Sequence, residues 1–121
     1  MKIELRVNGS DYSLNAESNL NLRDALRKLG CLSIKSGGCQ LGECGACTVL
    51  LDGMPVNSCM LLAVQAEGHE LTTVESIGEV KDQGWKKTAG LDLIQEAFIE
   101  AGAVQCGYCT PAMILSAKAL L

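Results

Sequence analysis

The chain has 121 residues, of which 48% are hydrophobic, 20% charged and 3% aromatic, and its net charge is −4; this is a globular composition with room for one ordinary domain or two very small ones. The acidic balance, with no Lys or Arg between Lys35 and Lys81, argues against nucleic acid as a partner. No apolar run reaches the roughly 18 residues of a membrane span, and the start Met1-Lys2-Ile3-Glu4 lacks the apolar core of a signal peptide, so a cytoplasmic location is expected.

Residues 2–7 alternate apolar and charged side chains, the period of a half-buried strand. Asn8-Gly9 predicts a tight turn, with Tyr12 and Leu14 on the returning strand. Asn19 or Asn21 is placed to cap a helix carrying Leu22, Leu26 and Leu29, which Gly30 ends. A glycine-rich loop with three cysteines covers residues 36–47. Thr48 to Leu51, the turn Asp52-Gly53 and Val56 then predict a second hairpin. Met60 to Ala66 is expected to make one or two helical turns, and Leu71 to Val74 a short strand.

The polar stretch 78–90, with Trp85, reads as a linker. Beyond it Leu91, Leu93, Ile94, Ala97, Phe98 and Ala101 recur at helical spacing, with Gly102 as the stop. Thr110 is the expected N-cap of a further helix with Pro111 at its first position. Met113, Ile114, Ala117, Leu120 and Leu121 supply that helix's apolar face. The two helical faces are too wide to satisfy each other, so further chain, a second copy or another subunit is expected over them. The pattern is α+β: a β-rich module with one helix over 1–77, a linker over 78–90, and a helical hairpin over 91–121.

Seven cysteines, an odd number without an export signal, point to metal binding rather than to disulfides. Cys39, Cys44 and Cys47 are spaced C-x4-C-x2-C, and Cys59 follows after eleven intervening residues. This is the plant-type spacing of a 2Fe-2S cluster. Such a cluster needs four thiolates converging on two irons, three from a wrapping loop and one from a neighbouring segment. Gly37, Gly38, Gly42 and Gly45 suit that loop, because glycine lets the backbone approach closely and aim N–H groups at the sulfurs. The rival is zinc at Cys44-x2-Cys47 and Cys106-x2-Cys109, which leaves Cys39 and Cys59 idle. By itself Cys106-Gly107-Tyr108-Cys109 is a redox dithiol or half of a metal site. Cys31 reads as a small core residue, His69 as a solvated turn residue, and Tyr12, Trp85 and Phe98 as packing residues. The acidic run Glu67 to Glu79 reads as a solvated face.

Gly38-Cys39-Gln40-Leu41-Gly42-Glu43-Cys44-Gly45-Ala46-Cys47-Thr48-Val49, then Asp52-Gly53 and Ser58-Cys59, resembles the iron–sulfur subunit of the molybdenum hydroxylase, or xanthine dehydrogenase, family. Gly102 to Pro111 is similar to the same family's second motif. The resemblance implies an N-terminal β-grasp ferredoxin-like domain and a C-terminal helical domain, of which these residues form a partial hairpin of a four-helix arrangement. It implies that Cys39, Cys44, Cys47 and Cys59 hold one 2Fe-2S cluster. It implies as well that Cys106 and Cys109 supply half the ligands of a second, and that Gln105 contacts the molybdenum–pterin cofactor of a large subunit.

Electron transfer to a flavin on an FAD-containing subunit, with no active site on this chain, is the implied function. Three features depart from the family pattern. Its C-x-C motif, source of the other two ligands, is not in residues 1–121; Ala112 replaces a glycine at the helix start; and Lys35-Ser36-Gly37-Gly38-Cys39 is one glycine longer. The alternatives are a stand-alone one-cluster carrier, for which an exposed apolar hairpin is unsuited, and a zinc-stabilised interaction module.

Overall fold

A computed structural model describes residues 1–35, 41–77 and 92–121. The alternating segment forms β1 (Lys2–Val7), with Ile3, Leu5 and Val7 buried and Lys2, Glu4 and Arg6 facing solvent. It pairs antiparallel with β2 (Ser10–Asn15), from Lys2↔Asn15 to Val7↔Ser10. β3 (Thr48–Leu51) and β4 (Met54–Asn57) make the second hairpin. Both turns put two residues at positive φ, Asn8 at 54° and Gly9 at 82°, Asp52 at 51° and Gly53 at 83°. That backbone matches the right-handed twist of the strands, which is why Asn-Gly and Asp-Gly were legible as hairpins.

β5 (Glu70–Thr72) joins the hairpins into one five-stranded mixed sheet of order β2-β1-β5-β3-β4. It runs parallel to β1 and antiparallel to β3. The strand is shorter than expected from Leu71 to Val74, because Val74 has turned into a 3₁₀ turn, Val74–Ser76. Asn8 explains the turn's position. Its Nδ2 donates to Thr73 Oγ1 at 2.9 Å, and its Oδ1 accepts from Thr73 N at 2.9 Å and Ser76 Oγ at 2.7 Å. Those bonds draw the chain after β5 back over the first hairpin.

Asn21, not Asn19, caps α1 (Leu22–Lys28), accepting from Asp24 N at 2.8 Å. Leu22, Ala25 and Leu26 are buried with Ile3, Leu5, Val7, Val49 and Leu71 in one core between helix and sheet. Leu26→Ala in such a site costs about 2–5 kcal/mol. Cys31 belongs to this core, as expected. Met60 to Ala66 is resolved into two 3₁₀ turns, Ser58–Met60 and Ala63–Ala66, the first beginning two residues early. His69 is not merely solvated: its Nδ1 pairs with Asp52 Oδ2, while Asp52 Oδ1 accepts from Glu70 N at 2.8 Å. The Glu70 amide first, then His69, holds the Asp52 carboxyl below its ordinary range.

α2 (Leu93–Glu100) is capped by Asp92, whose Oδ1 accepts from Ile94 N at 2.9 Å while Gln95 reaches back to Asp92 N at 2.9 Å. Nothing on α2 is fully buried; Phe98 is half-buried and Leu93 is 80% exposed. α3 (Thr110–Leu120) begins one residue earlier than expected. Cys109 takes the N-cap position with a helical backbone, and Thr110 and Pro111 are the first two helical residues, because Thr110 N already donates to the Gly107 carbonyl at 3.3 Å.

The face of α3 also differs from expectation. The helix packs on β3 and β4 through Ala112, Ile114 and Leu115, whereas Met113, Leu120 and Leu121 are exposed. The sheet, not α2, is its main support; α2 is tied on by Lys118, which pairs with Asp92. The 78–90 linker, Trp85 and Leu91 lie outside the described residues. No described helix is long and apolar enough to cross a membrane.

Candidate metal centre

The second hairpin builds the site. Pairing of Thr48 with Asn57 brings the residues just outside it, Cys47 and Ser58, side by side. Ser58 is fully buried and holds the Cys47 carbonyl twice, through its N at 3.3 Å and its Oγ at 2.7 Å. Cys59 is the next residue, in the 3₁₀ turn. Cys47 is buried, Cys59 half-buried and Cys44 exposed. A graded series from core to surface suits a group that must be anchored yet electronically accessible.

The loop between Leu41 and Cys47 is clamped at both ends. Asn57 Nδ2 donates to the Gly42 carbonyl at 2.9 Å, and Thr48 donates to the Gly45 carbonyl through Oγ1 at 2.6 Å and N at 3.0 Å. Gly42 sits at φ +81°, and Met60 lies directly over it: a Cβ at this position would stand 2.8 Å from Met60 Cγ. The positive φ disfavours any side chain there, and Met60 would have to move aside to admit one.

Gly37, Gly38 and Cys39 lie outside the described residues. Among those described, no three His, Cys, Asp or Glu side chains are drawn together around a single ion. A 2Fe-2S cluster does not ask for that, since each of its irons takes two of the four cysteines. The donor set of thiols on a clamped loop and an adjacent turn fits such a cluster. The carboxylates nearby do not replace it, because thiolate is the softer ligand. Cys31 stays outside the set: burial first, and then the Glu75 carboxylate, pushes its thiol up, which opposes forming a thiolate.

Cys106 and Cys109 lie on the loop between α2 and α3, both exposed and not disulfide-bonded. Gln105 beside them is exposed as well. A cleft of about 280 Å³ is lined by Cys44, Gly45 and Thr48 on one side and by Cys109, Ala112 and Ser116 on the other. Cys44 and Cys109, one from each cysteine motif, therefore line the same cleft. Ala112 is buried in its wall, and its methyl group is accommodated without disturbing the first turn of α3.

Several of these residues carry no motif of their own in the sequence. Thr48 and Asn57 clamp the loop through ordinary polar side chains whose role depends on strand register. Ser58 stands in the sequence only as the neighbour of Cys59. The one available signal was their adjacency to cysteines at the two ends of a predicted hairpin.

Residues 5–74 match the 2Fe-2S iron-sulfur cluster binding domain family, and residues 73–121 match the 2Fe-2S binding domain family. Over 120 residues the chain is 48% identical to the nicotinate dehydrogenase small FeS subunit of Eubacterium barkeri, covering 98% of this chain and 71% of that protein. The chain belongs to the iron–sulfur small subunits of the molybdenum hydroxylase, or xanthine dehydrogenase, family.

The xanthine dehydrogenase iron-sulfur-binding subunit of Escherichia coli O157:H7 is 47% identical, over 98% of this chain and 69% of its own length. Among solved structures, quinoline 2-oxidoreductase from Pseudomonas putida 86 superposes with TM-score 0.84 at 40% identity, covering 99% of this chain and 69% of that one. The aldehyde oxidoreductase of Desulfovibrio desulfuricans ATCC 27774 gives 0.85 at 43% identity, covering 99% of this chain but 12% of that one. The β-grasp ferredoxin-like expectation and the 2Fe-2S cofactor class both stand.

Proposed function

We propose that this chain is the electron-transfer subunit of a molybdenum-containing hydroxylase, relaying single electrons from a molybdopterin-containing large subunit to an FAD-containing subunit. The observation that carries this reading is that Cys44 and Cys109, one from each cysteine motif, line one cleft in a chain matching two 2Fe-2S domain families. The matched part of the Desulfovibrio aldehyde oxidoreductase is a small share of a far longer polypeptide, which supports work inside a larger enzyme rather than as a diffusing carrier.

In this reading residues 1–77 and 91–121 are the two binding domains, joined by 78–90. Cys39, Cys44, Cys47 and Cys59 hold one cluster, and Cys106 and Cys109 supply two ligands of another. When bound, a 2Fe-2S cluster supplies a one-electron donor and acceptor whose potential follows its hydrogen bonds and solvent exposure. The chain's own part is to fix and shield. Ser58 holds the Cys47 carbonyl and Thr48 the Gly45 carbonyl next to Cys44, Gly42 keeps side chains out of the loop, and buried Cys47 excludes water from one end.

Gln105, exposed beside Cys106 and flanked by exposed Val104 and Tyr108, would face the large subunit's molybdenum–pterin cofactor. The exposed Leu41 and Met60 at the other rim would lie toward the flavin. The cytoplasm is the compartment in which these thiols remain available to iron. The test is anaerobic reduction of the purified complex by its oxidisable substrate. With Cys59→Ser, reduction at molybdenum should persist while the flavin stays oxidised. A flavin reduced at an unchanged rate would contradict the relay.

A further inference from the structure

The segment leading into the cysteine loop is held unusually well for a surface strand of chain. Arg27 donates through Nη1 to the carbonyls of Ile34 and, at 3.4 Å, Leu32. Ser33 donates to the Glu75 carboxylate through both N, at 3.1 Å, and Oγ. At the end of this pinned stem stands Lys35. Its amide faces the Ala46 carbonyl at 3.5 Å, and its Nζ lies 5.7 Å from the centroid of the Tyr108 ring. That is within the roughly 6 Å reach of a cation–π contact.

Tyr108 lies between Cys106 and Cys109, and Ala46 between Cys44 and Cys47. A single residue thus meets both cysteine loops, its backbone amide one and its side chain the other. No Lys or Arg occurs within 39–59 or 104–110, so neither segment can supply this positive charge itself. The Cys106–Cys109 loop is fixed at its C-terminal end, where Cys109 opens α3 on the sheet, while towards α2 the described residues hold it loosely: Cys106 is exposed, Tyr108 is 41% exposed, and α2 has no fully buried residue.

We propose that Lys35 is a positioning residue that registers the Cys106–Cys109 loop against the Cys44–Cys47 loop through the Tyr108 ring, and so sets the gap an electron crosses between the two sites. The inference rests on the cysteine ligand sets proposed above. Electron transfer falls off exponentially with separation, so a contact that shifts the docked population by only about two- to fivefold changes the distribution of gaps and the rate together. An arginine preserves the contact, because the guanidinium also stacks on an aromatic face. A phenylalanine preserves it from the other side, because the attraction is to the ring and not to the hydroxyl.

The test is low-temperature electron paramagnetic resonance of the intact, fully reduced complex, reading the magnetic splitting between its two iron–sulfur centres alongside iron and sulfide content. Lys35→Gln and Tyr108→Leu should each broaden and weaken the splitting at unchanged iron content. Lys35→Arg and Tyr108→Phe should keep it, and the double variant Lys35→Gln/Tyr108→Leu should be no worse than either single one. Cys106→Ser is run beside them. If it removes one signal while Lys35→Gln leaves the splitting as in wild type, the role of Lys35 is overturned and the ligand sets stand. If Cys106→Ser keeps both signals, the ligand sets fall, and the inference with them.

Discussion

Gly42→Ala tests whether the cysteine loop depends on its backbone or on its packing. The new Cβ meets Met60 Cγ at 2.8 Å, Met60 Sδ at 3.5 Å and Asn57 Nδ2 at 3.6 Å. The Asn57 contact is ordinary, so its bond to the Gly42 carbonyl survives. The Met60 clash involves the flexible part of a side chain that is 61% exposed, and a rotation into solvent relieves it for about 1 kcal/mol at most. The φ of +81° has no such escape and costs an L-residue about 1–2 kcal/mol. The backbone therefore dominates a total of about 2 kcal/mol, and with a urea slope of about 2 kcal/mol/M the midpoint falls by roughly 1 M. Iron occupancy should fall with it, because the strain is relieved by reshaping the loop around Cys44. Adding Met60→Ala should recover only the smaller, steric part. The reasoning is refuted if Gly42→Ala unfolds within about 0.5 kcal/mol of wild type, the range of an ordinary surface substitution, or if Met60→Ala restores it fully.

Ser58→Ala removes one of two bonds to the Cys47 carbonyl and leaves the other, so about 1 kcal/mol should be lost without a buried orphan, measured by urea unfolding. Asp92→Ala deletes the α2 cap and the Lys118 pair, and should cost about 1 kcal/mol, visible as faster amide exchange over 93–100. Asp92→Asn keeps a capping oxygen and loses only the charge. Lys118 first, then the Ile94 amide, holds the Asp92 carboxyl below its ordinary range. A depressed folded value means stabilisation that is present above the unfolded value of about 3.9 and lost as pH falls through the folded one. The advantage of wild type over Asp92→Asn should be complete at neutral pH and vanish in stronger acid; an advantage that grows on acidification would contradict the pairing.

The first 75 residues were readable because their signals are local. Alternation in Lys2–Val7 and the Asn-Gly and Asp-Gly turns each act within a few residues and proved to mean what they say; the C-x4-C-x2-C spacing is as local, and the 2Fe-2S class it points to is that of both matched domain families. What escaped depended on long-range placement. Asn8 reaches Thr73 and Ser76, and Lys35 meets Tyr108, across more than sixty residues, and His69 finds Asp52 across 17, with no periodicity to betray them. The helical half shows the same limit. Apolar spacing located α2 and α3, but which stripe of α3 is buried was decided by the sheet it lies on, so Ala112 and Leu115 went inward while Met113 and Leu120 stayed out. The Thr110 cap failed for a local reason that composition hides, since the turn at Gly107 already makes Cys109 helical.

The central claim is that Cys39, Cys44, Cys47 and Cys59 hold a 2Fe-2S cluster. Iron, zinc and acid-labile sulfide should be measured per chain after anaerobic purification of wild type and Cys59→Ser. The account predicts at least about two irons and two sulfides in wild type, the content of one cluster, and the loss of that pair in Cys59→Ser. Zinc without sulfide in wild type, or an unchanged iron and sulfide content in Cys59→Ser, would contradict it.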